Sequence, residues 1–211
     1  KSIALTVTLG TLASKIGGLI RQLVIAGAFG VGVAYDAYNY AYVLPGFFLV
    51  LIGGINGPFH NAIVSVFSRR STKENAYIIS VINTLVSTGL IIITTILFFY
   101  ADPLIKIIGP GLGSDIHNLA VTQLKIMAPI ALLSGLIGVG FGSLNASKVF
   151  LIPSLAPVFS SLTLIILVGA FWVQEGTAIQ STELAMKGGL ILALATLIGA
   201  LLQWIIQIPL L

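Results

Sequence analysis

Residues 14–47 read SKIGGLIRQLVIAGAFGVGVAYDAYNYAYVLPGF, and they place Lys15 and Arg21 inside the first long apolar segment of the chain. A cation near the centre of a bilayer costs from about 2.5 to more than about 10 kcal/mol, so such residues face a protein interior or a water-filled cavity. With about 3.6 residues per helical turn, Gly10, Ser14, Gly17, Gly18, Arg21, Gln22 and Lys15 form one small and polar stripe. Leu12, Ile16, Leu19, Ile20 and Leu23 take the other side. The stretch therefore predicts a helix that shows lipid one face and turns the other toward a partner helix or a cavity.

Composition carries this reading to the whole chain. Of 211 residues, 57% are hydrophobic and 8% charged, and the mean hydropathy is +1.11. Those values describe an integral membrane protein. No polar stretch is long enough for a soluble domain, so one transmembrane domain is expected over residues 1–211. Cysteine is absent, which removes disulfides and thiolate metal sites. The chain starts at Lys1 without an initiator Met and ends in an apolar run at Leu211, a pattern expected of a chain trimmed at both ends. The first segment is too long, and too charged internally, for a cleavable signal peptide.

A window of about 19 residues divides the chain into spans at about 2–28, 35–67, 75–100, 117–144, 151–173 and 186–211. The fold class expected is all-α, a polytopic six-transmembrane-helix bundle. The second span is too long for one straight crossing and contains GGINGP at residues 53–58. Proline removes a backbone donor and glycine adds freedom, so a bent or broken helix is expected there. Breaks at membrane depth survive only where protein or water satisfies the freed backbone, which directs this one inward. Pro129, Pro153 and Pro157 mark helix starts or kinks, and Gly135, Gly138, Gly140 and Gly142 allow close helix approach.

Orientation follows from loop charge. The connection with Arg69, Arg70, Lys73 and Glu74 is the most basic and belongs on the cytoplasmic side. Alternation then puts Lys1 and Lys148 inside, and Asp102, Asp115 and Glu175 outside, so both termini face inward across the plasma (inner) membrane. Tyr35, Tyr38, Phe98, Phe99, Tyr100, Phe171 and Trp172 fall near the outer ends expected for an aromatic belt.

Each polar residue has a plain reading beside its functional one. Arg21 lies deep in its span and on the polar stripe, which favours a cavity role over snorkelling; Lys15 is balanced between the two. Asp36 opens the second span, where an acid serves the helix dipole or forms a counter-charge to Arg21. Asn56 could contact a ligand or satisfy the broken backbone. Lys125 is long enough to snorkel, His60 suits a hydrogen-bonded packing role, and His117 begins a helix at the interface. GVG at residues 30–32 lacks the preceding strand and third glycine of a nucleotide fingerprint. No Ser/His/Asp set, paired carboxylates or HExxH is present, so no catalytic residue, metal or cofactor is expected, and the chain is not read as an enzyme.

The stretch from Ser14 to Phe47 also resembles the opening signature of the MurJ/MviN family of lipid II flippases, approximately S-R-x-x-G-x-x-R-(D)-x-x-I-A-x-x-F-G-x-G-x-x-x-D-A-F-x-x-A-(F)-x-L-P. LKIMAP at residues 124–129 and SLNASKVFLIPSLAP at 143–157 resemble the family's fourth and fifth helices, and QIPLL its sixth. The likeness is strongest to the cyanobacterial branch. Arg21 matches the second signature arginine and Asp36 the DA aspartate. Lys15 keeps the charge of the first arginine but not its bidentate geometry, and Gln22 stands where many members have Asp. After LP, many members carry a double arginine and AEGAF, whereas this chain reads GFFLVLIGGINGPFHNAI, with Asn56 opposite the acid.

The resemblance implies one six-helix lobe of the MOP superfamily, the N-terminal one, whose C-terminal lobe is missing from this chain. It implies translocation of a lipid-linked diphosphate sugar, lipid II, within membrane lipid by alternating access, for peptidoglycan and cell wall biogenesis, with no nucleic-acid partner. Arg21, Lys15, Asp36 and Asn56 are the substrate-binding residues expected. The alternative is a MOP-superfamily exporter of another polyprenyl-linked oligosaccharide, or an ion-coupled drug antiporter; a non-transporting scaffold is the reading from a different class.

Overall fold

A computed structural model describes residues 2–54, 57–67, 72–176, 179 and 181–210. Asn56 and the cations Lys1, Arg69 and Arg70 lie outside the described residues, as does most of the charge on which the inward orientation of the termini rests. Among the described residues there are no strands. The helices are α1 (Ser2–Phe29), α2 (Val33–Leu51), α3 (Pro58–Phe67), α4 (Thr72–Phe99), α5 (Ala101–Ile108), α6 (Ser114–Met127), α7 (Ile130–Ala146), α8 (Leu151–Glu175) and α9 (Thr182–Ile205). A 3-10 turn, Ile208–Leu210, follows α9.

By length and apolar composition, the described residues offer 5 membrane crossings, where the sequence suggests six: Val7–Phe29, Tyr77–Phe99, Ser114–Ala146, Leu151–Glu175 and Glu183–Leu210. The stretch at 35–67 does not qualify because it is two helices. The first half of α2 carries Asp36, Asn39 and the tyrosines at 35, 38, 40 and 42, which lower its hydropathy. α3 has 10 residues, about 15 Å of helix, against a hydrocarbon core of about 30 Å. The Ser114–Ala146 crossing is also divided, into α6 and α7. Pro129 has no N–H to offer the preceding turn, and the helix resumes at Ile130.

Packing explains which helices meet lipid. α7 is buried continuously from Ile137 to Leu144 because it touches α2, α3, α4 and α9. The share of the crossing that is buried is 72% for Ser114–Ala146 but 17% for Val7–Phe29 and 11% for Tyr77–Phe99. α1 and α4 are thus outer walls. Leu12, Ile16, Leu19, Ile20 and Leu23 are all exposed along α1, as a lipid-facing side requires. Gly138 shows why α7 tolerates no larger residue at its crossing point. A Cβ there would overlap the carbonyl oxygen of Ile52, in the α2–α3 break. The bare glycine lets that irregular backbone seat against a helix, as a break inside a membrane protein must.

Candidate functional site

Between α1 and α2 the bundle opens. The two helices are joined by a tight turn in which Gly30, at φ 55, takes the left-handed conformation that ends α1. They then diverge, because α1 leans on α8 while α2 packs on α6, α7 and α9. The space left is a cavity of about 760 Å³. Its wall draws Ser14, Gly18, Arg21 and Gln22 from α1, Tyr35, Tyr38, Asn39 and Tyr42 from α2, and Gly53, Gly54, Gly57 and Pro58 from the break. α8 adds Ser160 and Ser161, and α9 adds Thr196 and Gln203.

Among the described residues, Arg21 is the cation of this wall and no acid lines the cavity. Among the described residues, the ion pairs are Lys106 and His117 with Asp102 and Lys187 with Glu183, so Arg21 has no carboxylate within 4.0 Å. Without a carboxylate partner among the described residues, its guanidinium presents N–H donors in a planar fork, a geometry that matches phosphate and carboxylate oxygens.

The other residues expected at the site are placed differently. Lys15 is exposed and outside the cavity wall. Six residues from Arg21, it lies about 120° away around the helix axis. Asp36 stands in the first turn of α2, half-buried, and is not in the wall; as the acid at a helix N-terminus it complements the dipole. Asn56 lies outside the described residues, between Gly54 and Gly57, which do line the cavity. Away from the cavity, His60 is buried against α7, with Nε2 2.8 Å from Asn145 Nδ2. Lys125 is exposed on α6.

Sequence reasoning missed the tyrosines. Tyr38, taken there for an interfacial belt, is 8% exposed, and it stands in the cavity wall with Tyr35 and Tyr42. Its ring stacks on Tyr42 at 5.4 Å between centroids and on Tyr35 at 6.5 Å. The 3- and 4-residue spacings that align Tyr35, Tyr38 and Tyr42 on one face were visible in the sequence. Phe98, Phe99 and Tyr100, by contrast, are exposed at the end of α4, as a belt would be.

Comparison with known proteins adds to this geometry. A model of the MurJ family, described as lipid II flippase MurJ, matches residues 25–211; Lys15 and Arg21 precede the matched range. A Synechocystis protein named "Probable lipid II flippase MurJ" is 49% identical over 98% of this chain and 39% of its own length. The lipid II flippase MurJ of Thermosipho africanus is 32% identical over 75% of this chain and 33% of its own. A solved structure of lipid II flippase MurJ in an inward closed conformation superposes with a TM-score of 0.79 at 26% identity, covering 97% of this chain and 41% of that one. The chain thus spans about two fifths of the Synechocystis relative and of the solved structure.

Proposed function

The chain belongs to the MurJ family of lipid II flippases, and from that premise we propose that it forms the N-terminal lobe of a transporter that moves lipid II across the plasma membrane. The observation that carries this reading is the Arg21 guanidinium, without a carboxylate partner among the described residues, in the wall of a cavity that no described acid lines. A diphosphate head group cannot cross hydrocarbon without replacement of its hydration. A cationic cavity with serine, threonine, glutamine and tyrosine side chains replaces it with charge-assisted hydrogen bonds.

In this reading Arg21 grips the diphosphate, and Lys15 adds positive charge outside the wall on the same helix. Asp36 stands on α2 between Tyr35 and Tyr38, which line the cavity, and Asn56 falls in the sequence between Gly54 and Gly57, which line it too. A second lobe facing this one completes the enclosure, and rocking of the two exposes the head group to each side in turn. The protein then changes no covalent bond of its substrate, and both ends of this lobe face the cytoplasm. The test is complementation of a flippase-depleted cell by the natural full-length protein. Arg21→Ala should insert normally and fail to support growth, and Arg21→Lys should support it partly; normal growth with Arg21→Ala overturns the assignment.

A further inference from the structure

Tyr38 and Tyr42 lie one turn apart on α2, and both line the cavity. Their hydrogen bonding is unequal. The Tyr38 hydroxyl lies 3.1 Å from Thr196 Oγ1, and Thr196 spends its own proton on the Leu192 carbonyl at 2.7 Å. A hydroxyl has one proton to give, so Tyr38 must be the donor, and its proton is committed. Tyr42 lines the same cavity, and among the described residues its hydroxyl has no hydrogen-bond partner. Arg21 lines the same cavity from α1. The Tyr42 ring is held in place by two contacts. One face stacks on Tyr38, and its edge lies over Gly46, where an added Cβ would come within 2.7 Å of Cε1.

We propose that the Tyr42 hydroxyl is the second donor of the anion site, sharing a diphosphate with the Arg21 guanidinium while Tyr38, tied to α9, fixes the ring. The inference rests on the reading of Arg21 as a diphosphate contact and adds a specificity-determining residue to it. A single fork grips one phosphate group well; a hydroxyl displaced from it on the facing helix reaches the other. The site therefore prefers a diphosphate to a monophosphate.

The experiment uses the full-length protein in detergent, with a polyprenyl diphosphate disaccharide, a polyprenyl monophosphate and inorganic pyrophosphate as probes. Tyr42→Phe removes one oxygen and keeps the ring. It should weaken the diphosphate lipid about tenfold, reduce competition by pyrophosphate similarly, and leave the monophosphate lipid nearly unchanged. Gly46→Ala keeps the hydroxyl, displaces the ring, and should give the same pattern independently. Unchanged diphosphate affinity in both variants overturns the inference. So does a loss confined to the lipid-linked disaccharide with pyrophosphate unaffected, which would assign the hydroxyl to the sugar. Arg21→Ala separates the two levels. If it abolishes binding while Tyr42→Phe and Gly46→Ala bind the diphosphate lipid like the parent, the tyrosine assignment alone fails; if Arg21→Ala binds like the parent, the reading beneath it fails too.

Discussion

Ser14 donates through its hydroxyl to the backbone carbonyl of Ser154 at 2.6 Å, and this bond ties α1 to α8 beside the cavity. One turn earlier, Gly10 meets the same residue; a Cβ there would come within 2.7 Å of Ser154 Cβ. The seam is therefore made by absence of side chain as much as by the hydrogen bond. Since α1 leans mainly on α8, the position of Arg21 depends on it. Ser14→Ala should cost about 0.6 kcal/mol, the usual worth of such a bond between membrane helices. Gly10→Leu should cost about 1–3 kcal/mol by forcing the helices apart. Thermal unfolding of the purified protein ranks the two, and equal midpoints would refute the close-packed seam.

Gly138 makes a second prediction. Its added Cβ would strike the Ile52 carbonyl, and backbone cannot swing aside as a flexible side chain does. Gly138→Ala should lower stability by about 1–3 kcal/mol and displace the α2–α3 break. Gly18 is also on the bundle's inner side, but a Cβ there meets nothing within 4 Å. Gly18→Ala should unfold at the parent temperature or slightly above it, since alanine favours helix.

How much of this was legible beforehand can be traced through single residues. Proline 58 after paired glycines announces a helix break, and α2 ends at Leu51 while α3 begins at Pro58. The depth of Arg21 in an apolar run already argues for an interior. What the pattern could not give is which neighbour takes which side of a helix. Lys15 and Arg21 share a broad polar stripe on an ideal wheel, but α8 covers the side with Gly10 and Gly17. The cavity then takes Gly18, Arg21 and Gln22, and Lys15 is left outside. The tyrosines of α2 failed for a related reason. Aromatic residues near a span's end suit an interface or an inner wall equally, and only the divergence of α1 from α2 decides between them.

Acid should loosen α5. Asp102 accepts from His117 Nε2 at 2.8 Å and from Lys106 Nζ at 2.6 Å, joining α5 to the start of α6. The hydrogen bond with His117, then that with Lys106, hold the Asp102 carboxyl below its ordinary value. A carboxylate with a depressed folded value stabilises the fold fully above its unfolded value of about 4. That contribution disappears as pH falls through the lower folded value. Amide exchange over Ala101–Ile108 should therefore accelerate as pH falls below about 4, after correction for intrinsic rates. In Asp102→Asn this acid-dependent step should vanish; its persistence would place the sensitivity elsewhere.

Gln123 tests whether a polar side chain at full burial organises the bundle. It is 0% exposed. Its amide nitrogen donates to the Gly189 carbonyl at 2.8 Å and lies 3.4 Å from that of Ala34, so one side chain on α6 bridges α9 and α2. Its Oε1 has no hydrogen-bond partner among the described residues, which makes the bridge work through the donor alone. Gln123→Glu keeps the shape and removes the donor, setting an oxygen against two carbonyls in a buried site. That change should cost about 3 kcal/mol or more at neutral pH, because the carboxyl must either stay charged without a partner or take up a proton. Gln123→Met loses the bridge but buries no orphan oxygen, so it should cost about 1 kcal/mol. Chemical unfolding of the two variants at pH 7 and pH 5 separates these effects. Only the Glu variant should recover stability at the lower pH, since protonation restores a donor toward Gly189; a pH-independent difference would mean that the charged carboxyl does not set the penalty.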